Sequence, residues 1–438
     1  MKITFISQAS LKVKTSDCTI LTDPWYMGTA FNDSWKLRPA PAWDNRMLDE
    51  VDYLWISHEH PDHFHIPTLK SFPQSFKDRV TLLFQKNNSD KMPDALTKLG
   101  FKNIKLLDNR KIYRITDKTS VYVSQIGQMD SSLAVMNEGT TMLNLNDCEA
   151  NSVDCRNLRK DLGKIDVLVN QFSMAGYNGF FDYGQHLPQV AQTILKNMAE
   201  NHRDLDAKYT IPFASNIYFC TEDNKYMNDY GNTPSKAFEH FRREGLKMIV
   251  LYANETLDTD HPEAHDNKSS LALYDHLYSS GSLNIDQPPV VSLEKIQEAV
   301  KRRSDQLKTK FPGWIVRKLG EVNVRIPDLN TTITLSLNDG TAQEAAGGAD
   351  FDLVVYSQPL FFAFDTPWGV QTMGVGARFR IKSKHHVWKW YRIVTSLNNA
   401  EMYLKLRYLF TKENFAFVRS RMKGGLNQLL YQLKRMDG

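Results

Sequence analysis

Short apolar runs separated by polar breaks fill the first 60 positions. "KITFIS" and "ASLKVKT" read as strands, "SD" interrupts them, and "CTILTDPW" resumes until Pro24 ends the run. "FNDSWKLRPAPAWDN" carries two prolines among aromatic residues and reads as a loop across a site or interface. "VDYLWISH" is a nearly continuous apolar run, expected to be a buried strand that ends in a cluster of histidines. "IPTLKSF" and "MPDALTKLG" predict helices, the second closed by Gly100, with the strand "VTLLFQK" between them. Five further strands follow, "NIKLL", "KIYRIT", "VYVSQIG", "SLAVMNE" and "TTMLNLND", and "NEG" supplies a hairpin turn. "KIDVLVNQFS" and "KYTIPFAS" predict strands on either side of the amphipathic helix "LPQVAQTILKNMAENH". Strands alternating with helices on this scale predict packed sheets with helices outside.

The pattern shifts near residue 290. "DQPPVVS" is a proline-marked joint before the charged helix "LEKIQEAVKRRSDQLKTKF", and "TTITLSLNDG", "FDLVVYSQPLFFAF" and "VGARFRIKS" come after it. A chain of 438 residues is too long for one ordinary core. The expected division is therefore a first domain over residues 1–285 and an α+β domain over 290–438. The closing basic, amphipathic segment reads as a packed helix with a solvated face, ahead of a membrane-surface helix.

Composition narrows the functional classes. Hydrophobic residues make up 42% and charged residues 24%, with a formal charge of +4, and there is no arginine-rich arm, so nucleic acid is not an expected partner. No run is long enough to span a bilayer, and "MKITFISQAS" reads as a strand and not as a secretion signal. Cys18, Cys148, Cys155 and Cys220 are scattered, with no CxxC or CxH pair. This argues against zinc-finger and Rieske-type sites and fits a reducing compartment, so a cytoplasmic location is expected.

The chemistry concentrates in His58-x-His60-x-Asp62-His63. At the end of a strand alternate residues share a side, so His58 and His60 can converge on one ion. Asp62 and His63 follow Pro61, which helps turn the chain, and can serve a second ion nearby. Imidazoles with a carboxylate suit zinc, iron or manganese. Two adjacent cations bring an oxygen ligand to a substrate or lower the pKa of a bridging water.

This HxHxDH signature resembles that of the metallo-β-lactamase superfamily. "ILTDPW" looks like the family strand that ends in Asp-Pro, and "DYLWISHEHPDHFHIPTL" is similar to the motif strand, loop and helix. "MLNLNDC" resembles the later strand whose aspartate bridges two metals, a role that the resemblance carries to Asp147. More narrowly, "DPWYMGTAFNDSWKLRPAP", "NLNDC", "QFSMAGY" and "YTIPFAS" resemble the hydrolase-like part of CMP-N-acetylneuraminate hydroxylases and bacterial relatives. The resemblance covers roughly residues 1–270. It implies an α/β fold, an αββα sandwich, here with a smaller C-terminal α+β domain.

The family pattern breaks at two places. No histidine occurs between His65 and His186, and Gln128 or Asp130 falls where the family places a third histidine. Asp130 there would resemble the diiron hydroxylases of the superfamily. At the end of "YTIPFAS" the family's last histidine gives way to Ala214–Asn216, and Glu222 and Asp223 beyond read as surface acids. His186 reads as a helix-start residue or a substrate contact, His261 and His265 as a solvated surface pair, and His65 as a bystander. Trp25, Tyr26 and Trp35 are candidates for the site entrance, with core packing as the commoner role for aromatics.

In the second domain, "TITLSLNDGTAQEAAGGADFDLVVYSQPLFFAF" and "GVQTMGVGARFRI" are similar to sterol-carrier-protein-like domains, in which a sheet and helices surround an apolar tunnel. The expectation is a metal-dependent enzyme whose ligands are His58, His60, Asp62, His63, Asp147 and Asp130. Two metal ions are expected, iron favoured over zinc or manganese, with oxygenase or hydroxylase chemistry on a small or carrier-bound substrate. Without a Rieske motif, reducing equivalents would come from an external donor or from the substrate. The alternatives are a zinc-dependent hydrolase of an ester, lactam or phosphodiester, and a binding or carrier protein with a degenerate metal site.

Overall fold

Alternation within the strand Tyr53–Ile56 sets the layering of the protein. Leu54 and Ile56 point outward into a cluster with Leu82 and Phe84 of the next strand and with Leu69, Phe76 and Leu96 of three helices. Trp55 points the other way, fully buried beside Leu83, Val121, Leu133 and Val169, which come from two different sheets. The computed structural model in which these contacts are seen describes residues 1–382, apart from 42, 88, 89, 128, 129, 178, 180–182 and 348.

The first sheet has seven strands in the order Thr256–Asp258, Lys2–Ser7, Ser10–Lys14, Thr19–Thr22, Tyr53–Ile56, Thr81–Gln85 and Asn103–Leu107. The second has six, in the order Tyr209–Phe213, Val167–Gln171, Thr140–Asn146, Asp130–Asn137, Thr119–Ile126 and Lys111–Arg114. Their inner faces share one apolar core, in which Ile3, Phe5 and Ile20 meet Val135, Met142 and Phe213. The outer face of the second sheet is covered by the helix Ser152–Leu162 through Cys155 and Leu158. Helix, two sheets and helix are thus stacked in an αββα sandwich. The hairpin expected at "NEG" is present, with Glu138 and Gly139 both at positive φ between paired strands.

Residues 293–381 build a smaller α+β unit. Its sheet runs Thr341–Glu344, Thr331–Ser336, Glu321–Ile326, Leu353–Val355 and Phe379–Ile381. Glu321–Ile326 and Leu353–Val355 are parallel, and the other neighbours are antiparallel. Helices Leu293–Lys310 and Ser357–Asp365 pack Ile296, Val300, Leu307, Leu360 and Phe364 against Val322, Val324 and Ile333. The basic closing segment lies outside the described residues. Among those described, no helix is long and apolar enough to cross a membrane.

Part of the proline-rich stretch expected to be a loop is a strand. Trp35–Leu37 pairs with Ile217–Phe219, a partner too distant in sequence for local pattern to reveal. Trp25, Tyr26 and Trp35 are all buried, so they belong to the packing and not to an entrance. Tyr26 stacks on Trp43, and Trp35 meets Phe31 edge-on.

Candidate metal centre

Parallel pairing places Thr22 beside Trp55, so the ends of two neighbouring strands bring Asp23 level with Ser57. The chain then turns sharply, with the amides of His63 and Phe64 both donating to the carbonyl of His60. The turn gathers His58, His60, Asp62 and His63 at one end of the sandwich. From the second sheet, the start of Asp130–Asn137 and the residue after Thr140–Asn146 deliver Asp130 and Asp147 to the same place.

Two groupings of ligand atoms result, one of His58, His60 and Asp130 and the other of His58, His63 and Asp147. His58 Nε2 lies 2.8 Å from His60 Nδ1, 3.8 Å from Asp130 Oδ1 and 3.9 Å from Asp147 Oδ2. His63 Nε2 is 3.3 Å from both Asp147 Oδ2 and Asp62 Oδ2. His58, Asp62 and His63 are buried, whereas His60 and Asp130 are half-buried and form the open side.

A supporting layer fixes which ring nitrogens face inward. Asp23, fully buried and at positive φ, accepts the Ser57 amide and hydroxyl, both at 2.7 Å, and the His63 Nδ1 proton at 3.0 Å. Because the Ser57 hydroxyl proton goes to Asp23, its oxygen is left to accept from His58 Nδ1 at 3.0 Å. With protons placed on both Nδ1 atoms, the Nε2 atoms of His58 and His63 point into the cluster. Gln8 holds Asp62 from behind, donating to Oδ2 at 3.3 Å while its own carbonyl accepts the Asn216 amide at 2.7 Å.

The electrostatics show a site short of positive charge. Burial, together with Asp147, pushes the Asp130 carboxyl up to about 8. Burial and the neighbouring His63 bring His58 down to about 3, so its ring is neutral. His63, although buried, is raised by Asp147 and Asp62, and its charge in turn holds Asp147 well below the usual carboxylate range. Asp62 Oδ1, Asp147 Oδ1 and His63 Nε2 are buried without a hydrogen-bond partner. Polar atoms buried without partners in this way are costly, and metal ions in their midst, displacing the extra His63 proton, would satisfy them together. The residues present therefore fit a metal centre.

The remaining sequence candidates separate clearly. His65 caps the helix Ile66–Ser71, with its ring nitrogens on Thr68 Oγ1 and the Thr29 carbonyl, so it faces away from the cluster. His186 sits in the first turn of the helix Tyr183–Asp204. His261 is exposed, and His265 Nε2 donates to the Val250 carbonyl. Ala214 follows its strand at positive φ, beside the Gln8–Asn216 contact. Gln128 lies outside the described residues. Asp223 corrects the expectation of a surface acid, since it is buried in an ion pair with Arg378. Asp23, Ser57 and Gln8 were not foreseen as site residues, although an aspartate directly before proline at a buried strand end was the available signal for the first.

Residues 2–170 match the model of the beta-lactamase superfamily domain. Over this span the N-terminal sandwich is similar to the metallo-β-lactamase superfamily domain. Among curated proteins, the chain is 30% identical over 258 residues to a protein of Mycolicibacterium smegmatis named as a Rieske 2Fe-2S iron-sulfur protein, covering 54% of this chain and 48% of that one. It is 26% identical over 268 residues to the cytidine monophosphate-N-acetylneuraminic acid hydroxylase of Danio rerio, covering 57% and 44%. The chain thus spans about half the length of the curated relatives it matches. Among solved structures, CmlA, a diiron beta-hydroxylase from Streptomyces venezuelae, aligns with TM-score 0.41 and 16% identity over 58% of this chain and 53% of that one. The superfamily domain supplies the ends of the strands on which all six candidate ligands stand.

Proposed function

We infer that the protein is a dinuclear metal enzyme, iron-dependent, that hydroxylates a small or carrier-bound substrate. The observation that carries this reading is the carboxylate of Asp130 beside His58 and His60. With Asp130 in place, three of the six ligands are carboxylates, and such a harder set favours iron over zinc. The hydroxylases among the relatives support the same chemistry.

In this reading His58, His60 and Asp130 would hold the first ion, Asp62 and His63 would hold the second, and Asp147 would be a ligand within reach of both. Two irons bound there would supply activation of O₂ for a two-electron oxidation. The chain's own residues do the rest. Asp23 and Ser57 keep protons on the Nδ1 atoms, Gln8 orients Asp62, and the half-buried His60 and Asp130 face the side from which substrate enters. Electrons would come from an external donor or from the substrate. We take residues 1–285 as the catalytic domain and 290–438 as the second.

Oxygen electrode measurements test the reading. Protein reconstituted with ferrous iron should consume O₂ when given a reductant, and the zinc-loaded form should consume none. Turnover of an ester or lactam by the zinc form, with an iron form inert toward O₂, would overturn it in favour of a hydrolase.

A further inference from the structure

Phe31, Asn32 and Asp33 have φ of 54°, 55° and 60° in succession, and none of them is glycine. The Ala30 carbonyl accepts the amides of Ser34 at 3.0 Å and Trp35 at 3.2 Å, so the segment forms one left-handed helical turn. L-residues avoid this conformation because Cβ crowds the following carbonyl, and runs of it persist only where the surroundings impose them. The turn stands directly over the metal centre. The Phe31 ring meets Trp35 at 4.4 Å and the His60 imidazole at 5.9 Å, edge-on in both cases.

What imposes the turn comes largely from the C-terminal unit. Arg378, 2% exposed, donates from Nη1 to the Asn32 carbonyl at 3.0 Å and to Gln358 Oε1 at 2.9 Å. Gln358 and Asn32 exchange side-chain hydrogen bonds of 2.9 and 3.2 Å. Arg378 is itself fixed by Asp223, Nε to Oδ2 at 2.9 Å, both partners being buried. Asn224 Nδ2 bridges the two parts, donating to the carbonyls of Ser34 at 3.0 Å and Gly376 at 2.8 Å. The approach is tight enough that a Cβ at Gly376 would collide with the Ser34 side chain.

We propose that Arg378 and Gln358 are positioning residues for the metal centre: they clamp the left-handed turn that sets Phe31 against His60. The C-terminal unit is then part of the site and shapes the open side on which His60 stands. The proposal rests on the reading of His60 as a metal ligand for its functional meaning, but its test does not require bound metal. An isolated arginine deletion would strand the Asp223 charge in the interior, so the pair is removed together.

The test compares wild-type protein, Gln358→Ala and the double variant Arg378→Met/Asp223→Asn, all metal-free. Amide exchange at Ser34 and Trp35 should become roughly tenfold faster or more in both variants. The His60 ring signals of histidine-labelled protein should shift as Phe31 leaves, while those of His202, buried against Phe241 and Thr210, stay in place. Folded variants with unchanged exchange at Ser34 and Trp35, or with unmoved His60 signals, would overturn the proposal. Failure of the wild-type protein to bind iron would overturn the metal reading alone.

Discussion

Asp147→Asn is expected to lower bound metal from about two ions per chain to one or fewer and to abolish turnover. Asp147 Oδ2 reaches His63 Nε2 at 3.3 Å and His58 Nε2 at 3.9 Å, so it is the carboxylate near the imidazoles of both halves of the centre. Its Oδ1 is buried without any partner. Asparagine keeps the shape and one oxygen but removes the negative charge that offsets two cations. Elemental analysis after dialysis measures the loss, and circular dichroism shows whether the fold is kept. Full metal content in a folded Asp147→Asn protein would exclude Asp147 from the centre.

Asp23→Asn should weaken metal binding by roughly 10–100-fold although Asp23 touches no metal position. The carboxylate accepts three donors, the Ser57 amide, the Ser57 hydroxyl and His63 Nδ1. An asparagine amide can accept on one side only, so its NH₂ group faces at least one of these donors. The His63 proton is then displaced or the ring rotates, and the Nε2 lone pair is no longer aimed inward. Competition with a chromophoric chelator measures the affinity. An unchanged value would show that the strand-end aspartate is a structural anchor without influence on the centre.

The legible part of this protein was the part written locally. His58, His60, Asp62 and His63 occupy one six-residue run at the end of an apolar strand, and strand geometry alone brings them together. Asp147 was reached through a family resemblance. Asp130 was reached as a departure from that resemblance, and the structure places it against His58. The inner and outer faces of the sandwich were implicit in alternation, as Leu54, Trp55 and Ile56 illustrate.

What stayed hidden depends on distant partners. The Arg378–Asp223 pair joins residues on different folding units, and an acid in a polar loop gives no local sign of burial. Trp35–Leu37 becomes a strand only because Ile217–Phe219 runs beside it. "SQPLFFAF" forms the helix Ser357–Asp365, yet a short continuous apolar run has no period that separates helix from strand. The helix Ser152–Leu162 is different. It carries a capping box between Asn151 and Asp154, a start signal that is local in the sequence.

The central claim is that these six side chains hold a pair of iron ions. Elemental analysis of protein expressed in unsupplemented medium and purified without added metal tests it most directly. About two irons per chain are expected, with little zinc. Stoichiometric zinc in place of iron, or no bound metal at all, would contradict it.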